Sequence, residues 1–298
     1  MQHLLSWRDL EPQRLDALLA AADDFALGLE EGRSVRDRCK DAVVCMAFFE
    51  PSTRTRLSFE AAAHRLGARV IGFSDAQATS SAKGESLEDT ARVLGGYADL
   101  LVLRHPEAGA AAHAGAVAGV PVVNAGDGHG EHPTQTLVDL FTLRRNFDDL
   151  SGLKVAFVGD LRYGRTVHSL LPLLQRLGAR PYAVPAPGLE LPDELGPVPH
   201  LEIEEAAADC DVLYVTRVQK ERLPSGMAAA APKVDRALLE STQSKAIVLH
   251  PLPRVDELAT DVDGLAAAKY FDQAQGGVAV RMAVLAALLD KEPPRGSA

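Results

Sequence analysis

Phe48-Phe49-Glu50-Pro51-Ser52-Thr53-Arg54-Thr55-Arg56-Leu57-Ser58-Phe59 joins an apolar run to a helical pattern through a short polar stretch. Upstream, Ala42 to Phe49 is short, apolar and closed by Pro51, the profile of a buried strand. Downstream, Leu57, Phe59, Ala62, Ala63 and Leu66 recur at helical spacing, so a helix begins within Ser52-Thr53-Arg54. A helix N-terminus offers unpaired backbone N–H groups and the positive end of a dipole, which suits a phosphate. Ser52, Thr53 and Thr55 add hydroxyl donors, and the Arg54 guanidinium can grip phosphate oxygens in a bidentate fork. Ser52 alone could be an ordinary N-cap. Four donors in succession behind a buried strand read instead as an oxyanion site. The stretch has no glycines and no Gly-Lys-Ser/Thr ending, so it is not a Walker loop.

Around this stretch lie 298 residues, enough for one large or two ordinary domains, each with its own core. The composition, 47% hydrophobic and 24% charged, is that of a soluble protein. No apolar run approaches the roughly 20 residues that span a bilayer, and the segment from Met1 to Arg8 does not read as a signal peptide. The expected location is therefore cytoplasmic, with no membrane partner. A net charge of −10 argues against nucleic-acid binding, although a cleft can still focus positive charge on a small anion. Cys39, Cys45 and Cys210 are scattered without C-x-x-C spacing, so neither a disulfide framework nor a metal site is expected.

Further along, apolar runs repeatedly deliver polar groups at their ends. Leu15 to Leu29 is an amphipathic helix after Pro12. Val70 to Phe73 is a short strand, followed by the Ser/Gly-rich segment Ser74 to Ser86. There, Thr79-Ser80-Ser81-Ala82-Lys83-Gly84-Glu85 reads either as a mobile segment delivering the Lys83 ammonium or as the solvated approach to a helix capped by Ser86. Leu100 to Leu103 is a strand ending in Arg104-His105-Pro106. Val120 to Asn124 is another, running into Gly126-Asp127-Gly128-His129-Gly130-Glu131-His132-Pro133-Thr134-Gln135. Pro133 starts a helix, so His132 stands just outside its N-terminus, where the dipole favours the neutral imidazole. After a connection near Asn146 to Gly152, Leu153 to Val158 is a strand entering Gly159-Asp160-Leu161-Arg162-Tyr163-Gly164-Arg165. Gly159 and Gly164 alone do not meet the G-x-G-x-x-G dinucleotide fingerprint, and Arg162 and Arg165 suit a small anion better. Asp211 to Thr216 and Ala246 to Leu249 are strands ending in Arg217-Val218-Gln219-Lys220-Glu221-Arg222 and His250-Pro251-Leu252-Pro253-Arg254. Tyr270 to Leu289 is an apolar helix, and 293–298 is expected to be disordered.

Taken together, Pro-Ser-Thr-Arg-Thr-Arg at 51–56, Arg-His-Pro at 104–106, His-Pro-Thr-Gln at 132–135, Thr-Arg-Val-Gln-Lys-Glu-Arg at 216–222 and His-Pro-Leu-Pro at 250–253 resemble the motifs of the aspartate and ornithine carbamoyltransferase family along the whole chain. The 216–222 loop resembles the aspartate branch residue for residue. The resemblance implies an α/β fold of two domains, each a parallel sheet flanked by helices. It places a carbamoyl-phosphate domain at 1–147, with a C-terminal helix at about 276–292 packing back on it, and an aspartate domain at 148–275.

By this resemblance, Ser52, Thr53, Arg54, Thr55, Arg104, His132, Gln135 and the carbonyls of Leu252 and Pro253 bind carbamoyl phosphate. Lys83, Arg165, Arg217 and Gln219 bind L-aspartate. Arg54, Thr55, Lys83, Arg104 and His132 are the implied catalytic residues, without metal or cofactor. The family's Ser-Ser-x-x-Lys-Gly-Glu loop is matched with its serine pair one residue nearer the lysine, so Thr79, Ser80 and Ser81 remain alternatives for its contact. In the family this loop serves a neighbouring subunit's site, which implies a homotrimer with shared active sites. Whether regulatory chains or a dihydroorotase partner join it stays open. The expected reaction is carbamoyl transfer to the aspartate amine in pyrimidine biosynthesis. The alternatives are transfer to another amine such as ornithine, and a non-catalytic carbamoyl-phosphate-binding homologue.

Sharing of sites has a direct consequence for mixtures. Lys83→Ala protein mixed with Arg54→Ala protein should regain part of the activity that each lacks. Confirmed hybrids that remain inactive would exclude shared sites.

Overall fold

The computed structural model describes residues 2–75, 84–219, 223 and 230–290. Lys83, with Thr79, Ser80 and Ser81, falls outside them, as do Lys220 to Arg222 and the tail at 293–298. The chain divides into two compact units, Met1–Leu137 with Gly276–Ala298, and Val138–Gln275. No helix among the described residues is long and apolar enough to cross a membrane.

In the first unit, helix α1 (Pro12–Glu30) starts with proline at its first turn and buries Leu15, Leu18, Leu19, Ala22 and Ala26. Strand β1 (Val43–Phe48) is buried along almost its whole length. It is followed by α2 (Thr53–Arg65), β2 (Arg69–Phe73), α3 (Leu87–Gly95), β3 (Leu100–His105), α4 (Ala110–Val117), β4 (Val122–Asp127) and the start of α5 (Pro133–Asn146). The strands form one sheet in the order β2-β1-β3-β4, and every neighbouring pair is parallel. Parallel neighbours need crossovers, here helical, which explains why strand and helix patterns alternate along the chain. Strand β2 lies at the edge and is largely exposed, whereas β1, β3 and β4 are buried apolar runs.

The second unit repeats the plan with β5 (Lys154–Gly159), α6 (Arg165–Arg176), β6 (Arg180–Pro185), α7 (Ile203–Asp209), β7 (Val212–Thr216), α8 (Arg236–Ser241), β8 (Ile247–Leu249) and the start of α9 (Tyr270–Leu289). Its sheet runs β6-β5-β7-β8, again entirely parallel. Strand β6 was not foreseen. It carries Pro181 and Pro185, which weaken any strand reading, and it is tolerated because it lies at the sheet edge.

Both sheets reverse direction beside their first strand: the chain moves from β1 to β2 on one side and to β3 on the other, and likewise from β5 to β6 and then β7. Crevices that receive ligands open at the carboxyl ends of such strand pairs.

Burial raises each of Cys39, Cys45 and Cys210 to a pKa of about 11, as befits small core residues. A polar cluster sits in the second unit. The fully buried Asp139 carboxylate accepts the Tyr214 hydroxyl at 2.8 Å and the Gln273 amide at 2.6 Å. Burial and the Asp139 charge push the Tyr214 phenol well above its ordinary value, so it stays a donor.

Tyr214→Phe removes one donor from this carboxylate and almost no volume. It should lower the unfolding free energy by about 1–3 kcal/mol, read from urea denaturation. Unchanged stability would mean that the hydroxyl contributes nothing to holding Asp139.

Candidate active site

The carboxyl ends of β1, β3 and β4 carry the groups of the first unit. Ser52 occupies the N-cap of α2 with extended backbone, φ −158° and ψ 97°, but its side chain makes no capping hydrogen bond. Ser86 differs, since its hydroxyl accepts from the Asp89 N–H at 3.1 Å and closes the first turn of α3. The N-cap side chain therefore leaves the first-turn N–H groups of α2 uncapped. Thr55 is buried, and Arg56 turns along the helix to pair with Glu60 at 2.6 Å.

Strand pairing brings the second arginine to this loop. Phe48 lies opposite Arg104 in the β1/β3 register, and the Phe49 N–H donates to the Arg104 carbonyl at 2.8 Å. The Arg104 side chain is only 11% exposed. Its guanidinium meets Glu50 at 2.5 Å and donates to the Ala125 carbonyl at 3.2 Å. Glu50 is a residue that the sequence reading passed over, although it stands between the strand and the hydroxyl-rich turn. Its carboxylate occupies donors of the kind an oxyanion would use.

His132 is held by a loop built on Asp127. That carboxylate accepts the Gly109 N–H at 2.8 Å and the Glu131 N–H at 2.9 Å. Gly128 is required here, because its φ is +50° and a Cβ would fall 2.5 Å from the Pro106 carbonyl. Glu131 anchors the other side, accepting from the Ser6 hydroxyl at 3.0 Å and the Trp7 N–H at 2.8 Å. His132 itself is buried, and its carbonyl accepts the Gln135 and Thr136 N–H groups that open α5, so the ring stands at the helix N-terminus as its spacing predicts. The Thr134 hydroxyl lies 3.3 Å from its Nδ1. His129 is exposed.

In the second unit the corresponding edge is organised by Asp160, also missed in the sequence reading. This fully buried residue follows β5 directly. It accepts the Tyr163 N–H at 2.9 Å and the Gln219 N–H at 3.2 Å. The Gln219 side-chain amide donates to the Tyr163 carbonyl at 2.8 Å. Gly159 pairs with Thr216, and a Cβ there would sit 2.1 Å from the Thr216 carbonyl, so glycine lets the two strand ends approach. The result ties the turn leading to Arg165, the first residue of α6, to the turn carrying Arg217 and Gln219. The His168 ring lies 3.0 Å from the Leu161 carbonyl and supports the same turn. Exposed Arg162 lies over the Tyr163 ring.

After β8 comes the loop with Leu252 and Pro253. The peptide between them is cis, and Leu252 has a left-handed φ of 53°. Arg254 pairs with Asp263, leaving it a structural role. Thus the structure gathers Ser52 to Thr55, Arg104 and His132 around one sheet edge, and Arg165, Arg217 and Gln219 with the 252–253 loop around the other.

Parallel α/β sheets whose strand ends present arginines, hydroxyls and helix N-termini define a protein that handles small anions. Two family models match almost the entire chain: the carbamoyl-P binding domain of aspartate/ornithine carbamoyltransferase over residues 2–145, and its Asp/Orn binding domain over 151–288. The chain belongs to the aspartate/ornithine carbamoyltransferase family. It is 46% identical to the aspartate carbamoyltransferase catalytic subunit of Methanocorpusculum labreanum, covering 95% of this chain and 97% of that one. The catalytic subunit of M. jannaschii aspartate transcarbamoylase superposes with a TM-score of 0.84 at 42% identity, covering 98% and 99% of the two chains. The Trypanosoma cruzi aspartate transcarbamoylase bound to carbamoyl aspartate and phosphate gives a TM-score of 0.89 at 37% identity, covering 96% and 95%.

Two histidines of the first unit make its stability pH-dependent. Burial lowers the His105 pKa below its ordinary 6.5 despite Glu107, Glu50 and Asp127, and burial lowers that of His3 despite Asp9. Each ring accepts a backbone N–H at Nδ1 and must be neutral to do so. As pH falls below 6.5 the unfolded chain takes up these protons first, so stability is complete above that value and declines through the lower folded-state values. Urea unfolding between about pH 7 and 5 should show this decline, and a His3→Gln/His105→Asn double variant should flatten it. An equal slope in the double variant would assign the decline to other groups.

Proposed function

We propose that this chain transfers the carbamoyl group of carbamoyl phosphate to the α-amine of L-aspartate, giving N-carbamoyl-L-aspartate and phosphate. The observation that carries the choice of amine is the Asp160-centred knot that ties the turns bearing Arg165 and Arg217 to one strand edge. Two guanidiniums with the Gln219 amide suit a dicarboxylate and repel the cationic side chain of ornithine. In the proposed assignment Ser52, Thr53 and Arg54 hold the phosphate, and Thr55, Arg104 and His132 hold the carbamoyl oxygen. Gln135 and the carbonyls of Leu252 and Pro253 hold the carbamoyl NH₂. Lys83 adds an ammonium from an adjoining copy within a homotrimer. Such a protein acts in the cytoplasm, in pyrimidine biosynthesis.

The chemistry follows from the charges. The aspartate nitrogen attacks the carbamoyl carbon, its lone pair forming the new C–N bond while the carbonyl electrons move onto oxygen. Donors from Thr55, Arg104 and His132 stabilise that oxyanion. Collapse of the tetrahedral species breaks the C–O bond to phosphate, which leaves with its negative charge held by Arg54 and the α2 N-terminus and accepts the amine proton. In this reading the transfer is direct, with no covalent enzyme intermediate. Glu50 pairs with Arg104, so in this reading the developing oxyanion competes with that carboxylate for the guanidinium.

Arg54→Ala should lower kcat at least a hundredfold, corresponding to the roughly 3–4 kcal/mol lost with one such donor, while the thermal unfolding profile stays intact. Carbamoyl phosphate offered with aspartate, with ornithine or with no amine, followed by phosphate release, separates the readings. Release only with aspartate is expected. Release with ornithine, or no release at all, would overturn the assignment.

A further inference from the structure

The Leu252–Pro253 pair lies in a loop whose two flanks are gripped by a single buried pair of side chains. His250 is 1% exposed and Glu257 is 4% exposed. The His250 Nε2 lies 2.9 Å from Glu257 Oε1. On the near flank, the Leu252 N–H donates to His250 Nδ1 at 2.8 Å. On the far flank, the Val255 N–H donates to the same Glu257 Oε1 at 3.0 Å. The main chain is held from behind as well, because the His250 backbone N–H donates to the Gln273 side-chain carbonyl at 2.9 Å, and Gln273 is fixed by Asp139.

The hydrogen bonds settle the chemistry of the ring. Nδ1 accepts a backbone N–H, so it carries no proton, and Nε2 holds the proton and donates to the carboxylate. The pair is neutral imidazole on carboxylate. Burial raises the Glu257 pKa, but the hydrogen bonds from His250 and from the backbone outweigh it and hold the carboxyl below its ordinary range. Such a pair is larger than a surface turn needs. It surrounds a leucine at φ 53°, a conformation that an L side chain enters at a cost and keeps only where its surroundings over-determine it.

We infer that His250 is a positioning residue: seated on Glu257, its ring holds the Leu252 N–H and thereby fixes the Leu252 carbonyl as an acceptor for the amide of the carbamoyl group. The inference rests on the carbamoyl-transfer reading above and deepens it. It assigns to His250, acting through the Leu252 carbonyl, a share of the discrimination between a phosphate that bears a carbamoyl amide and one that does not. In that reading phosphate itself is held by Ser52, Thr53 and Arg54, so its affinity should not depend on the ring.

Two substitutions separate the two nitrogens. His250→Asn keeps an acceptor near the Nδ1 position and gives up the donor towards Glu257. His250→Gln keeps a donor near the Nε2 position and gives up the acceptor for Leu252. Binding of inorganic phosphate and of phosphonoacetamide, a stable phosphonate bearing the amide, is measured by calorimetry for wild type and both variants. The ratio of the two affinities does not depend on the fraction of protein folded. His250→Gln should lose about tenfold of the preference for phosphonoacetamide, as expected for one fixed hydrogen bond, with phosphate affinity unchanged. His250→Asn should keep the preference within about threefold. Wild-type preference in His250→Gln, or equal loss in both variants, would overturn the positioning role alone. A wild-type protein with no preference for the amide would overturn the carbamoyl-transfer reading itself, and this inference with it.

Discussion

Parallel strands all point their carboxyl ends the same way, and this constraint governs both units. Each sheet must return through a crossover, and each strand of the four-stranded sheets therefore releases its polar turn at the same edge. Helices begin there with uncompensated N–H groups, so the edge is electropositive before any side chain is added. Ser52 to Thr55 and Arg104 meet because β1 and β3 are neighbours. Arg165 and Arg217 follow the neighbouring strands β5 and β7.

Concentrating guanidiniums at one edge has an electrostatic cost, and buried carboxylates manage it. Glu50 meets the Arg104 charge directly. Asp160 acts differently, accepting backbone N–H groups from two turns and fixing the loops that carry the arginines. Asp127 does the same for the turn before His132. The cationic groups thus project from turns whose backbones are already tied down, which is the preorganisation that electrostatic catalysis needs.

Much of this was legible in the sequence. Buried parallel strands are continuous apolar runs, so β1, β3, β4, β5, β7 and β8 each stood out, and the turn after each held a cationic or amide group in plain view. Strand β6 did not, because Pro181 and Pro185 argue against pairing and only the edge position excuses them. The acidic organisers were equally obscure. Glu50, Asp160 and Glu257 look like solvated carboxylates when read singly, since nothing in their neighbours' identity reveals which N–H groups will face them.

Residue order by itself determined the kind of element at each position and the chemistry at each strand end, because periodicity, prolines and donor-rich turns are local properties. It also determined the family, through motifs that are contiguous in the chain. Tertiary structure decided which strand ends are neighbours, that Arg104 rests on Glu50, and that His250 and Glu257 close around Leu252. Those outcomes depend on strand order, burial and hydrogen-bond geometry, which bring residues together from separate stretches of the chain and which no local pattern records.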